Sequence, residues 1–536
     1  MKTAHPTLPY RTFDDVRLAL LERREIALLD VREEDPHAQS HPLFAANFPL
    51  ARIELDAYAK LPRRDVPIVT LDDGEGAAEI AAQRLIGLGY SDVSVLAGGV
   101  SGWLLAGGEL FRDVNVPSKA FGELVEAERH TPSLSAEEVL ALIDAKSDVV
   151  IVDVRRFDEY HTMSIPTASS VPGAELVLRV RQLAPRPETR VIVNCAGRTR
   201  SIIGTQSLVN AGLPNPVAAL RNGTIGWTLA GQKLEHGQRR TFSQEFSATD
   251  RSWSVESAQR VADLAGVKSI AMEDLRPWFG QHNRSTYFFD VRTPEEYAAG
   301  HLPGFRSVPG GQLVQETEMV APVRGARLVL ADNDGVRAKM SASWLAQMGW
   351  EVYVVSQASS SDFSELGPWQ PPLPALPTPN KISPKTLKEW MASATETVVL
   401  DLTTSAAYTK AHIPGAWFIL RSQLARDFQR IPNARRYVLT CGTSLLAQFV
   451  ADELKALVNH PAAEVFVLEN GTQGWIAAGL PSESGLTHQA SDPIDRYRRP
   501  YEGTDSPKEA MQAYLDWEFG LVAQLGKDGT HHFHVV

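Results

Sequence analysis

One pattern of segments is written four times along this chain of 536 residues, and a repeat of this size constrains the fold before any local motif does. Each copy opens with an apolar, β-like run that ends in Asp: "IALLDVR" (Asp30), "VVIVDVR" (Asp153), "TYFFDVR" (Asp290) and "TVVLDLT" (Asp401). A second apolar run follows, then a short polar or Gly-containing loop, then a helix-like stretch, as in "RVIVNCAGRTRSIIGTQSL" and "RYVLTCGTSLLAQFVADEL". The separation is 42 positions from Asp30 to Asp72, from Asp153 to Cys195 and from Asp290 to Asp332, and 40 from Asp401 to Cys441. Unrelated segments would not keep that register. Three copies close on another strand-like run and a glycine–tryptophan signal, at Trp103, Trp227 and Trp475. The third copy loses this ending and runs into "VSQASSSDFSELGPW".

Short β-branched runs that alternate with helical patterns imply βα units and a mainly parallel sheet flanked by helices. The expected architecture is α/β, with four domains over 1–115, 125–240, 262–368 and 380–485, arranged as two tandem pairs. A C-terminal extension over 486–536 carries one amphipathic helix in "SPKEAMQAYLDWEFGLVAQL". The Pro-rich piece from Gly367 to Pro384 should be extended, and residues 237–265 should form a connector that becomes helical. A hydrophobic content of 43% supplies several cores, and a net charge of −11 argues against a broad surface for nucleic acid or anionic membrane. The start of the chain lacks an apolar signal region, and no stretch reaches about 18 uninterrupted apolar residues. The chain is therefore read as soluble and cytoplasmic.

The position after the second run is filled in turn by Asp72, Cys195, Asp332 and Cys441. A cysteine at the end of a strand puts its sulfur among the free N–H groups of the loop and the following helix N-terminus. Those donors, the helix dipole and the nearby Arg198 and Arg200 favour the thiolate. The same cradle would hold a persulfide anion or the anionic part of a substrate, and the two arginines could orient a small oxyanion. Two cysteines form no disulfide framework, and neither lies in a CxxC-type metal pattern. An isolated cysteine is more often core than catalyst; at Cys195 the loop, the arginines and the repeat register favour function. The three tryptophans read as packing residues. His531, His532 and His534 lack a fixed fourth ligand and are not read as a metal site.

The combination "DVRRFDEY…IP…VP", "NCAGRTRS" and "NGTIGW" in the second copy resembles the rhodanese family of sulfurtransferases. The third copy carries the entry motif "DVRTPEEYAAGHLPG", and the fourth keeps "AHIPGA". The resemblance implies transfer through a cysteine. The thiolate takes sulfane sulfur from a donor such as thiosulfate, releases sulfite, and passes the sulfur from its persulfide to a thiol or cyanide, in ping-pong order. It implies no metal or organic cofactor. Carried over by position, Cys195 is the nucleophile and Ala196, Gly197, Arg198, Thr199 and Arg200 form the substrate-binding loop. Ser201 begins the helix, and Arg155 supports the pocket. Ser164 stands where the family usually has His. Related phosphatases place Arg at the sixth position after Cys to cradle phosphate; here that position is Ser201, so sulfur is favoured over phosphate.

By the same comparison Asp72 and Asp332 make the first and third domains non-catalytic, because a carboxylate cannot hold a persulfide. Cys441 fits by position and "CGTS" resembles the start of the mercaptopyruvate-using branch, yet Leu445 and Leu446 leave its loop without a basic residue. An apolar setting raises a thiol pKa, so whether Cys441 works is open. Three functions follow: a thiosulfate- or persulfide-using sulfurtransferase, a 3-mercaptopyruvate sulfurtransferase, and a persulfide carrier or scaffold that delivers sulfur to a protein acceptor.

Overall fold

In the computed structural model, residues 8–243, 245, 247–356, 358–393, 396–458, 462–503 and 505–536 are described. The spacing of the repeat has a direct structural cause. In every copy the Asp-ending strand lies parallel to the strand that leads into the loop, and the register pairs Asp30 with Leu71, Asp153 with Asn194, Asp290 with Ala331 and Asp401 with Thr440. The residue that fills the variable position is thus always one step beyond the partner of the aspartate. Asp153 and Asp290 are held by the "DVR" arginine two places on. Arg155 donates to Asp153 at 2.9 and 2.7 Å, and Arg292 repeats the fork on Asp290 at 2.9 and 2.6 Å.

Each sheet runs in one order. In the second domain Ser133–Leu134, Val217–Leu220, Arg190–Asn194, Val149–Asp153 and Ser169–Ser170 lie side by side, all parallel, and the third and fourth domains copy this. The first domain departs in one respect: Val323–Arg324, from the third domain, adds antiparallel to Ile26–Asp30. Buried Trp103, Trp227 and Trp475 each donate their indole N–H to a carbonyl six residues on, at 3.1, 2.9 and 2.8 Å, as packing residues do.

The expectation was of tandem pairs, first with second and third with fourth; the contacts between domains run differently. The second domain packs against the third, where a Cβ on Gly311 would stand 3.3 Å from the Gly173 nitrogen and Arg337 donates to Glu175 at 2.7 Å. The first packs against the fourth, where buried Arg421 forks onto Glu54 at 2.6 and 2.9 Å. The first and third domains also join, through the added strand Val323–Arg324 and a shared apolar core, so the four domains do not divide into two separate pairs.

Two later segments stitch the domains together. The linker helix Val116–Arg129, apolar and nearly all buried over its first half, lies on the helix Thr199–Asn210 of the second domain and on a C-terminal helix, Leu521–Asp528. The amphipathic stretch expected at the C-terminus is two helices, Lys508–Phe519 and Leu521–Asp528, broken at Gly520. Beyond them Phe533 sits edge-on to Phe44 and Phe121, and the Val536 amide donates to Gln347 at 2.9 Å. The connector is helical over Ala248–Leu264; the Pro-rich piece has no helix or strand before Lys381–Ile382, and Pro384 opens the helix Pro384–Met391. Among the described residues no helix is long and apolar enough to cross a membrane.

Candidate active site

In the first, third and fourth domains the loop after the second strand turns several backbone amides onto one side chain. In the first, the Asp72 carboxylate accepts from the amides of Gly74, Ala77 and Ala78 at 3.1, 2.7 and 3.1 Å. In the third, Asp332 accepts from Gly335 and Ala338 at 3.0 and 2.8 Å. Burial, with Asp334 nearby, pushes Asp332 up to about 7 even so. In the fourth domain the sulfur of Cys441 takes the equivalent amides, those of Thr443, Leu446 and Ala447. These are the first turns of helices, where unpaired N–H groups favour negative charge. The carboxyl groups of Asp72 and Asp332 therefore occupy the amide donors and the space that a cysteine persulfide would need.

A glycine closes the slot from behind. At Gly223 (φ +53°) an added Cβ would stand 2.3 Å from the Cys195 carbonyl oxygen, and at Gly471 (φ +59°) 2.1 Å from that of Cys441. Only glycine allows this approach. It lets the amide of Thr224 donate to the Cys195 carbonyl and that of Thr472 to the Cys441 carbonyl, both at 2.9 Å. This explains the first glycine of the motif that ends at Trp227 and Trp475.

Around Cys195 the residues divide sharply. The thiol, 1% exposed, donates to the Ser201 hydroxyl at 3.3 Å, and Ser201 donates in turn to the Arg198 carbonyl at 2.9 Å. Burial pushes this thiol up, and Arg200 and the hydrogen-bond contacts with Ser201 recover only part of the shift. The loop was expected to favour thiolate; in this closed form desolvation outweighs the positive charge. Cys441, also buried, is likewise pushed up by desolvation, against the pull of its three amides.

Arg198, expected to bind substrate, faces away from the sulfur. It forks onto Glu123 at 2.7 and 2.8 Å, reaches Glu126 and Asn222, and stacks on Phe519. Arg155 spends its donors on Asp153 and on the Met163 carbonyl. Arg200 does face the sulfur's surroundings. It forks onto Glu159 at 2.8 Å for both bonds, and although burial alone would raise that carboxyl, Arg200 holds it down to about 2. The third domain repeats this pair without a nucleophile, as Arg337 on Glu296 at 2.6 and 2.8 Å.

Helix Thr199–Asn210 begins two residues earlier than expected, so Ser201 lies in its first turn. Thr199 is buried against Gly122 of the linker helix, and the Ala196 carbonyl accepts from the Ile225 amide at 3.0 Å. Gly197 faces Tyr514 and Glu518 of the C-terminal helix. Ser164 is buried in an antiparallel bridge to Glu235; His41, His301 and His412 hold the same bridging position in the other copies, so this slot is part of the frame.

Two cavities meet at Arg200. One, of 450 Å³, lies between the second and third domains and is walled by Val154, Phe157, Val291, Met340 and Trp344. The other, of 480 Å³, is lined by Arg155, Arg156, Glu159, Arg496 and Arg499. Glu159 was legible as a repeat, six residues after Asp153 as Glu296 is after Asp290. Glu123, Tyr514 and Glu518 were missed; they come from segments outside the repeat, with no local signal. Among the described residues no cluster of three or more His, Cys, Asp or Glu is placed to hold a metal ion, and the tail histidines diverge, His532 binding the Leu20 carbonyl.

A model of the rhodanese-like domain matches residues 14–106, 135–230, 273–361 and 383–478. The chain belongs to the rhodanese-like family. All four rhodanese domains, together with the tail, are shared with the crystal structure of a thiosulfate sulfurtransferase from Pseudomonas aeruginosa. That protein is 66% identical, with a TM-score of 0.97 over 99% of this chain and 100% of that one. The 3-mercaptopyruvate sulfotransferase SseA from Escherichia coli matches 43% of this chain and 99% of its own at 19% identity and a TM-score of 0.22. A rhodanese-related protein from Thermoplasma volcanium matches 19% of this chain and 97% of its own at 20% identity and a TM-score of 0.17. No curated protein matches the chain.

Proposed function

We propose that this protein is a cytoplasmic sulfurtransferase that moves sulfane sulfur from thiosulfate or a persulfide, through a persulfide on Cys195, to a thiol or cyanide. The observation that carries this is full-length identity of 66% to a thiosulfate sulfurtransferase of the same four-domain build. The slot geometry supports it, since the same position holds a carboxylate in two domains and a thiol in two. The Cys195 thiolate attacks the outer sulfur of thiosulfate, the donor S–S bond breaks, and its electron pair leaves on sulfite. The helix amides and Arg200 stabilise the anion that remains. The polar cavity beside Arg200 carries Arg156, Arg496 and Arg499 together with the carboxylates Glu34, Asp158, Glu159 and Glu502 that pair with them, so an anionic donor would have to compete for those arginines. An acceptor thiolate or cyanide then attacks the outer sulfur and frees Cys195, so no cofactor takes part. A protein thiol could also serve as acceptor.

A second sulfur-holding site at Cys441 is favoured by one observation, its three amide donors. Steady-state transfer from thiosulfate to cyanide by Cys195→Ser, Cys441→Ser and the double variant tests both. Loss of activity with Cys195→Ser alone supports the assignment. Full activity in the double variant overturns it. Turnover of 3-mercaptopyruvate that depends on Cys441 would move the second site to that donor.

A further inference from the structure

The C-terminal helix Lys508–Phe519 reaches the Cys195 loop from outside the repeats. An added Cβ on Gly197 would lie 3.2 Å from the Tyr514 ring and 3.5 Å from Glu518 Oε2. Glu518 is fully buried. The Tyr514 hydroxyl donates to Glu518 Oε1 at 2.8 Å, while Oε2 has no hydrogen-bond partner. Buried polar atoms without partners are rare, and each calls for an explanation.

The groups around this carboxyl leave it unpaired. From the linker helix, Lys119 donates to Asp113 at 2.7 Å and lies over the rings of Tyr501, Tyr514 and Trp517. Glu123 on the same helix is taken by Arg198, the only arginine of the loop that faces this way. Burial pushes Glu518 up to about 8; Glu123 adds to the rise, and Lys119, Tyr514 and Arg198 oppose it. Cys195 and Glu518 act on each other as like charges when both are ionised. Two such groups in a dry site cannot both carry charge cheaply.

We propose that Glu518 is a positioning residue for the sulfur chemistry of Cys195: where Glu518 is ionised, the loop and the C-terminal helix together hold one negative charge, which passes from the Glu518 carboxylate to the sulfur as Cys195 is loaded. The inference rests on the reading of Cys195 as a persulfide carrier. Above about pH 8 Glu518 is a carboxylate before loading and Cys195 a thiol; at lower pH Glu518 is already protonated and the thiol proton leaves to solvent. During loading above that pH the donor S–S bond breaks, sulfite leaves with the electron pair, the outer sulfur bonds to Sγ, and the thiol proton ends on Glu518. The product is a persulfide anion beside a neutral carboxylic acid, whose Oε2–H is then a donor. Transfer of the outer sulfur to an acceptor thiolate leaves a Cys195 thiolate, which recovers the proton.

The test counts protons released to solvent per persulfide formed. The full-length protein is loaded with thiosulfate in weakly buffered indicator solution, persulfide is counted by intact mass, and the titration of free sulfite is subtracted. In the wild type, release should fall from about one proton per persulfide near pH 7 to about zero near pH 9, because Glu518 then accepts the proton internally. Glu518→Gln should release about one proton across the whole range. Tyr514→Phe removes a hydrogen bond that favours the carboxylate, so its crossover should move to higher pH. A flat count in the wild type, or a falling count in folded Glu518→Gln, overturns the proposal. Where the Gln variant does not fold, an unmoved crossover in Tyr514→Phe overturns it. Added sulfur with the wrong proton count removes this inference alone. No added sulfur on wild-type Cys195 removes the underlying reading as well.

Discussion

Replacing Gly223 with Ala separates the placement of the Cys195 loop from simple backbone strain. Gly223 has φ +53°, and its Cβ would stand 2.3 Å from the Cys195 carbonyl oxygen and 2.8 Å from that of Gly197. Gly231 has φ +75° with nothing within 4 Å, so Gly231→Ala carries the strain without the collision. A left-handed conformation costs a non-glycine residue about 1–2 kcal/mol, and both variants should show at least that loss in urea unfolding. In Gly223→Ala the loop must also back away by about 1 Å, a misplacement that costs about 100-fold in rate when it moves a reacting group. Steady-state thiosulfate-to-cyanide transfer should therefore stay at the wild-type level in Gly231→Ala and fall about 100-fold in kcat/KM in Gly223→Ala. A folded Gly223→Ala protein with wild-type kcat/KM would refute the idea that this glycine sets the sulfur's position.

Glu159→Gln should destabilise the protein by about 3 kcal/mol at neutral pH, since the carboxyl's depression to about 2 is lost. The folded pKa lies below the unfolded one, so this stability is present above about pH 4.5 and disappears as pH falls toward about 2. Urea midpoints of the two proteins should converge over that window. Arg198→Met should cost about 3 kcal/mol, because Glu123 and Glu126 lose their partner. It should leave the KM for thiosulfate unchanged, and a large rise in KM would return Arg198 to the substrate.

The repeat was legible because the slot stays one step beyond each aspartate's strand partner, at a spacing of 42 in three copies and 40 in the fourth, while its residue changes from Asp to Cys. The identity of the slot residue, the glycine behind it and the tryptophan packing could all be read locally. Arg198 could not. Its partners Glu123 and Glu126 lie on a linker helix outside the repeat, and a positive charge beside a cysteine looks the same in sequence whether it faces sulfur or carboxylate. The raised thiol of Cys195 was hidden for a related reason: its burial is tertiary, and the like charge of Glu518 that adds to the rise comes from the helix Lys508–Phe519, folded back across the chain. The contacts between domains were equally hidden: similar "VPGAEL" and "VPGGQL" turns meet across the second and third domains, which the tandem-pair reading had put in different pairs.

Intact-protein mass spectrometry after brief exposure to thiosulfate, with each cysteine located by peptide mapping, tests the central claim most directly. The account predicts the mass of one added sulfur atom on Cys195, removed again by cyanide and absent from Cys195→Ser. A wild-type Cys195 that never gains sulfur, while the protein still turns over thiosulfate, would contradict it.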